Sequence, residues 1–362
     1  MPRFCISVPV GAWHPLLEQC LASLAAQDAD LEVALLDASG DERVRVLADK
    51  YADLLTYRHH GPDDGQADAI ASGWEHTEGD VLGWLNADDV LAPGALKHAA
   101  DAFAANPDAA IVYGLSTICD DDGRVTGYHW NVRPTADDIM STCSISQPSC
   151  FFRRDALDAI GGLDRSLHYT MDWDLWIRFH MAGYRFAFIN EVLSLVLWTA
   201  DAKTGGFGAG RRRELRRLLD MNPDKASRRA GYIGFITHHL YEYLLPKAMR
   251  RWIWRRDISG GAGMFGWSVS GDIQTDMQVP LFHYTEGGTQ EIVLWTDAEA
   301  QSVSVVANGV ECRQSGTEEG RIIFNLPAPM PPASVLKLGV RNCGNAALCI
   351  RGISFSGQSS VG

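Results

Sequence analysis

Residues 61–89 read GPDDGQADAIASGWEHTEGDVLGWLNADD, a polar segment that runs into an apolar stretch and stops at a cluster of carboxylates. Val81, Leu82, Trp84 and Leu85 have the length and composition of a short buried strand, and Asn86, Asp88 and Asp89 fall where that strand leaves its sheet. In an open α/β sheet this is where ligands bind. Hard oxygen donors at a strand end suit Mg²⁺ or Mn²⁺, ions that keep several waters and bridge one or two carboxylates to substrate phosphates. The ligand so implied is a diphosphate. The plainer alternative is a turn in which an Asp caps the following helix.

On either side of this stretch, apolar strands (CISVPV at 5–10, VALLD at 33–37, VLGWLN at 81–86, AIVYG at 110–114) alternate with helical patterns containing LLEQCLASLAA (16–26) and GALKHAADAFAA (94–105). Such alternation predicts an α/β fold, a mostly parallel sheet with helices on both faces and a nucleotide over the carboxyl ends of its strands. In this half of the chain neither GxGxxG nor GxxxxGK[ST] follows a strand, so neither a dinucleotide fold nor a P-loop is supported, and the diphosphate charge falls to a metal.

Six segments, in order, resemble the inverting family 2 nucleotide-sugar glycosyltransferases of the GT-A fold, which is Rossmann-like. FCISVPV followed by LLEQCLASLAAQ resembles the family's first strand and helix, and LEVALLDASGDE its second strand with a nucleotide-contacting Asp. PDDGQADAIASG and GDVLGWLNADDVLAPGAL resemble the approach to the metal motif and the motif itself. ISQPSCFFRRDAL, and GGLDRSLHYTMDWDLWIRF with AGYRFAFINEVL, resemble the acceptor-side half, so the likeness covers roughly residues 3 to 204.

The resemblance implies a role for each matching residue. Pro9 and Val10 shape the loop over the base, Asp37 receives a base or ribose hydrogen bond, and Asp63, Gln66 and Asp68 line the nucleotide pocket. Asp88 is the direct metal ligand for Mg²⁺ or Mn²⁺, with Asn86 a weaker oxygen ligand or ribose contact and Ala87 beside it on the nucleotide-sugar. Asp172 in MDWDLW is the general base, and Trp173 and Gln147 border the acceptor. Each has a structural alternative: Pro9 ends a strand, 63–65 is a polar turn, and Asp172 or Asp174 caps a helix. Trp176 shares the apolar side of its helix with Leu175 and Phe179 and reads as core.

The chain departs from the family pattern at four places. Asn86 stands where an Asp is common, Met171 replaces a Glu, and Ala71-Ser72-Gly73 replaces Asn-Lys-Gly. No His lies near Thr199, where the family often has one, and Asp201 or Lys203 is the candidate substitute.

The 362 residues suit about two domains. No run of about 18 uncharged apolar residues occurs, and MPRFCISVPV lacks a signal peptide's hydrophobic region, so a cytoplasmic protein is expected. The eight cysteines show no CxxC pairing, which favours buried reduced thiols over zinc or disulfides. Of the net charge of −13, residues 203–257 carry 14 Lys or Arg against five Asp or Glu, a net +9 that leaves −22 elsewhere. Within that segment RRRELRRLL and LYEYLLPKAMRRWIWRRD mix arginine with aromatic and aliphatic residues at helical spacing. They read equally as a helix lying on an anionic membrane surface, peripheral at the inner face, and as connector helices with solvated arginines. No nucleic-acid-binding module is recognisable.

After the glycine-rich ISGGAGMFGW (258–267) the period changes to two. QEIVLWTD, SVSVVANG, GRIIFNLP, VLKLGVRN and LCIRGISF predict a C-terminal β-sandwich. The expected division is therefore a catalytic domain at 1–204, basic helices at 205–260 and a β-sandwich at 261–362. The sandwich would bind glycan through Trp267, Phe282, Tyr284 or Trp295, bury those rings as core, or join a homo-oligomer.

The activity implied is transfer, with inversion, of a sugar from a nucleotide-diphosphate donor to a hydroxyl of a glycan or lipid-linked acceptor in bacterial cell-surface polysaccharide synthesis. The competing class is a non-catalytic sugar-nucleotide- or glycan-binding assembly protein on a degenerate version of the same fold, favoured by the departures at Asn86, Met171 and Thr199.

Overall fold

FCISVPV is apolar or small throughout, and it becomes β1 (Phe4–Val10), buried at every residue between two parallel neighbours. In the computed structural model, residues 1–120, 123–129, 132, 134–197, 208–244, 273, 277–283, 289–330 and 334–355 are described. From β1 the chain runs through α1 (Leu17–Ala25), β2 (Leu31–Asp37), α2 (Glu42–Lys50), β3 (Leu55–His60), α3 (Gln66–Glu75) and β4 (Val81–Trp84). β1 pairs in parallel with β2 and β4, and β2 with β3, giving the order β4-β1-β2-β3 with all four carboxyl ends on one edge. There follow β5 (Val90–Leu91), α4 (Ala95–Ala105), β6 (Ala109–Cys119), β7 (Val125–Tyr128), a 3₁₀ turn (Gln147–Ser149) and β8 (Cys150–Arg153). Next are α5 (Arg154–Ala159), α6 (Met171–Met181), β9 (Arg185–Leu197), α7 (Ala209–Met221) and α8 (Lys225–Leu244). β8 pairs antiparallel with both β4 and β6, and β9 pairs with β5 and β6.

Close packing of α3 on the sheet explains a residue that the sequence pattern leaves unexplained. A Cβ on Gly73 would collide with the Ser7 hydroxyl and stand 2.9 Å from Leu36 Cδ2, so α3 lies directly on β1 and β2. The Ser7 hydroxyl donates to the Ile70 carbonyl at 2.9 Å across the same contact. One residue on, the Trp74 indole N–H donates to the Gly83 carbonyl at 2.8 Å. Trp74, Trp84, Phe152, Trp176 and Phe179 form a buried aromatic cluster with ring centroids 5.5–6.4 Å apart, worth about 0.5–1.5 kcal/mol per pair beyond burial itself. Trp176 is fully buried there, as its place beside Leu175 and Phe179 predicts.

The chain forms two compact units. The first comprises residues 1–116, 131–194 and 200–239; the second comprises 117–130, 195–199 and 240–362. The described part of the basic segment, α7 with most of α8, therefore groups with the N-terminal half.

In the second unit β7 is joined by β10 (Met277–His283), β11 (Thr289–Thr296), β12 (Val303–Ala307), β13 (Val310–Glu311), β14 (Arg313–Glu318), β15 (Arg321–Met330), β16 (Ser334–Asn342) and β17 (Ile350–Phe355). β14-β15-β11-β17-β7 make one antiparallel run and β10-β16-β12-β13 another. The period-two pattern places Ile292, Leu294, Ile322, Phe324 and Ile353 of the first run, and Val305, Leu336 and Leu338 of the second, in the interior. Trp295 is half-buried, donates its indole N–H to Ser354 Oγ at 3.0 Å, and is covered on one face by the Arg124 guanidinium 3.6 Å from the ring centre.

All eight cysteines are free; five are buried, Cys143 and Cys349 are half-buried, and Cys343 is exposed, which departs from the expectation of burial. Among the described residues no helix is long and apolar enough to cross a membrane. Thr199, Asp201, Lys203, the glycine-rich 258–267 with Trp267, the arginine cluster at 247–256 and Tyr284 lie outside the described residues, as does the side chain of Phe282.

Candidate active site

Because β1, β2, β3 and β4 run in parallel, their last residues share one edge of the sheet, and most candidate donor contacts fall on it. Pro9 is in register with Leu36, past Ser7↔Trp84, the last pair between β1 and β4. Its missing N–H therefore costs little there. The Val10 carbonyl accepts from Ala38 N at 2.9 Å. Asp37 closes β2 almost wholly buried: Oδ1 accepts from Ser39 N at 2.9 Å and from the Ser39 hydroxyl, while Oδ2 meets His60 Nδ1 at 2.8 Å. His60 is the last residue of β3 and the register partner of Asp37.

Asp63 Oδ1 accepts from Gly65 N at 2.9 Å, a local turn that sets the start of α3. Gly65, at φ +117°, precedes the helix in a conformation that side chains rarely adopt. The first residue of α3, Gln66, donates Nε2–H to Asn86 Oδ1 at 2.7 Å. Asn86 Nδ2 donates in turn to Asp89 Oδ2 at 3.0 Å and to Gln147 Oε1 at 3.3 Å, and Gln147 Nε2 donates to the Trp84 carbonyl at 2.7 Å. The amide of Asn86 thus ties α3, the end of β4 and the 3₁₀ turn together. Asp68 does not join this network; its Oδ1 accepts from Arg165 Nη1 at 2.8 Å.

Asp88 and Asp89 are adjacent yet differ in environment. Asp89 is buried, and burial together with the Asp88 charge pushes its carboxyl well above the usual range against the opposing bond from Asn86. Asp88 is half-exposed and accepts no hydrogen bond from a described residue; Ala87 beside it is also half-exposed. The helix-capping alternative does not describe this turn: the chain continues into β5, and α4 starts later, after Gly94. Among the described residues no three His, Cys, Asp or Glu side chains converge on one point. A half-exposed carboxylate at a strand end fits an ion held by one protein ligand, substrate phosphates and water, and does not fit an all-protein cage.

Asp172 occupies the second position of α6. Burial raises its carboxyl above the usual range, while the backbone N–H groups of Trp173 (2.8 Å to Oδ1) and of Asp172 itself, together with the Arg211 charge, work against that shift. Its edge is nonetheless half-exposed, so the group is enclosed by protein without being sealed from solvent. Asp174, the other capping candidate, pairs with Arg178 at 2.7 Å instead. Trp173 is buried, and its indole N–H donates to the Ile139 carbonyl at 2.6 Å.

Residues 9–161 match the family model of Glycosyl transferase family 2. These residues are a family 2 glycosyltransferase domain. The chain is similar to an uncharacterized glycosyltransferase of Rickettsia typhi, 23% identical over 192 residues, covering 49% of this chain and 58% of the relative. It is also similar to the O-antigen biosynthesis protein RfbC of Myxococcus xanthus, 29% identical over 203 residues, covering 53% of this chain and 16% of that protein. The chain thus spans less than two thirds of the length of either relative. In fold it resembles the crystal structure of S. aureus TarS 1–349 in complex with UDP-GlcNAc, with a TM-score of 0.52, 17% identity, and coverage of 69% of this chain and 78% of that one. The GT-A architecture expected from the sequence is therefore the one observed.

Around the glycosyltransferase domain's candidate site, four residues have roles that sequence reading did not assign: His60 on Asp37, Asp89 on Asn86, Arg165 on Asp68, and Glu214 of α7. His60 carried no signal, since it closes β3, a strand that the sequence pattern did not single out. Glu214 carried none beyond being the lone acid in RRRELRR.

Proposed function

We propose that the protein transfers a sugar from a nucleotide-diphosphate donor to an acceptor hydroxyl with inversion at the anomeric carbon. The observation that carries this reading is the shared edge of four parallel strands, where Val10, Asp37, the 63–66 turn and the 86–88 turn converge in the domain matched by the family. In such a sheet the nucleotide lies across the strand ends. Asp37, backed by His60 and Ser39, faces the base or ribose, and Gln66 with Asn86 shapes the pocket beside the diphosphate.

The acceptor oxygen attacks C1 of the sugar, forming the new glycosidic bond as the bond from C1 to the diphosphate oxygen breaks. Asp172 takes the hydroxyl proton, which an alcohol must lose as that bond forms. An upward-shifted carboxylate open to solvent on one edge suits that task, being a stronger base than an exposed aspartate. Mg²⁺ or Mn²⁺ held by Asp88 would supply the positive charge that stabilises the departing diphosphate. Trp173, with its indole already bonded to Ile139, supports the acceptor side by fixing α6.

The similarity to an O-antigen biosynthesis protein supports a glycan or lipid-linked acceptor and a place in cell-surface polysaccharide synthesis. The exposed arginines of α7 support peripheral attachment to an anionic membrane face. The second unit is assigned to acceptor glycan binding or subunit contact. Incubation with UDP-, GDP- and dTDP-sugars and Mn²⁺ tests the central reading, because donor hydrolysis by water reports the same site. Release of nucleoside diphosphate from at least one donor is expected, and a folded protein inert toward the whole panel would refute it.

A further inference from the structure

We propose that Glu214 of α7 is a positioning residue for Asp172, acting by clamping the loop that leads into α6. The proposal rests on the reading of Asp172 as general base. Glu214 Oε1 accepts from His168 N at 3.0 Å, and Oε2 accepts from Tyr169 N at 2.9 Å, Thr170 N at 3.1 Å and Thr170 Oγ1 at 3.2 Å. One carboxylate therefore takes three consecutive backbone N–H groups, ending at Thr170, which makes no side-chain cap of its own to α6. Asp172 lies two residues further on.

The same loop is held on its other side. Arg165 bonds Asp68 at 2.8 Å and pairs with Glu75, both on α3, and Arg217 of α7 bonds Asp164 at 2.7 Å. The His168 ring lies 3.4 Å from where a Cβ on Gly65 would stand, against the turn that begins α3. Residues 164–170 thus bridge the donor-side helix and α7, and of these contacts the bonds of Glu214 to residues 168–170 lie furthest along the loop toward Asp172. A carboxylate with two oxygens engaged by backbone donors fixes loop direction far more sharply than apolar contact does. The packing of α7 itself depends on Leu215, Leu218 and Leu219, which are buried, so removing the carboxylate spares the helix.

The experiment uses the full chain and the nucleotide-sugar it hydrolyses or transfers fastest, comparing Glu214→Ala, Glu214→Gln and Asp172→Asn in kcat, donor KM, nucleotide Kd by calorimetry, and Tm. A displaced base loses turnover on the order of 100-fold without losing donor affinity. Glu214→Ala is therefore expected to lower kcat by about that factor with nucleotide Kd within about twofold of wild type. Glu214→Gln, which keeps one acceptor oxygen, should recover part of the loss. Glu214→Ala with kcat within about twofold of wild type overturns the clamp, as does a loss confined to KM and Kd. If Glu214→Ala does not fold, wild-type kcat in Glu214→Gln overturns it. Retained turnover in Asp172→Asn removes the base itself and the clamp with it, whereas an inactive Asp172→Asn beside an unimpaired Glu214→Ala rejects the clamp alone.

Discussion

Gln66 Nε2 donates to Asn86 Oδ1 at 2.7 Å, locking the start of α3 to the end of β4. The bond fixes which way the Asn86 amide faces, and its Nδ2 is thereby aimed at Asp89 and Gln147. Asn86, a departure from the family's usual Asp, is the donor that a buried Asp89 requires.

Substituting Asn86→Asp replaces that donor with an acceptor beside Asp89 and leaves two polar groups unmet. Each such loss costs about 1–3 kcal/mol, so thermal unfolding in EDTA should show a clearly lower Tm. A variant as stable as wild type without metal would show that the amide is not needed for Asp89.

Asp88→Asn should abolish most metal-dependent nucleotide binding, since Asp88 is the half-exposed carboxylate at the strand end. Calorimetry with UDP and GDP, in Mn²⁺ and in excess EDTA, is the check. Equal affinity in the two conditions for the wild-type protein would remove the metal from the donor site.

Asp172→Asn is expected to cut kcat by about 10²- to 10⁴-fold while leaving nucleotide affinity nearly unchanged. The same substitution should raise stability at neutral pH. Burial lifts the folded-state pKa of Asp172 above its unfolded value, so the folded state binds more protons between the two values and stability falls as pH rises through that window. Above the folded-state value the penalty is fully present, and below the unfolded value it is absent. Tm of the variant should therefore exceed wild type at pH 7 and converge with it in acid; a lower Tm at pH 7 would contradict the burial effect.

The exposed Arg212, Arg213, Arg216 and Arg229 of α7 and α8 should give salt-sensitive attachment to anionic vesicles, at about 1 kcal/mol per cation near the surface. Flotation at low salt should recover the protein with phosphatidylserine-containing liposomes and not with neutral ones. Equal recovery would assign these arginines to solvent.

The sequence alone determined the parallel α/β core, the strand end at Asn86–Asp89, the buried Trp176 and the period-two strands of the C-terminal half. All four follow from local periodicity and from where an apolar run stops, which neighbouring residues encode. Tertiary structure alone decided that Asp37 faces His60, that Gln66 reaches Asn86, and that Gly73 must be bare to let α3 rest on β1. It also decided that residues 117–130 group with the second unit and that Glu214, 42 positions after Asp172, holds the loop before it. These partners are distant in sequence, and hydrogen bonds between distant residues leave no period to read. Their geometry exists once the sheet and helices have brought the chain back upon itself.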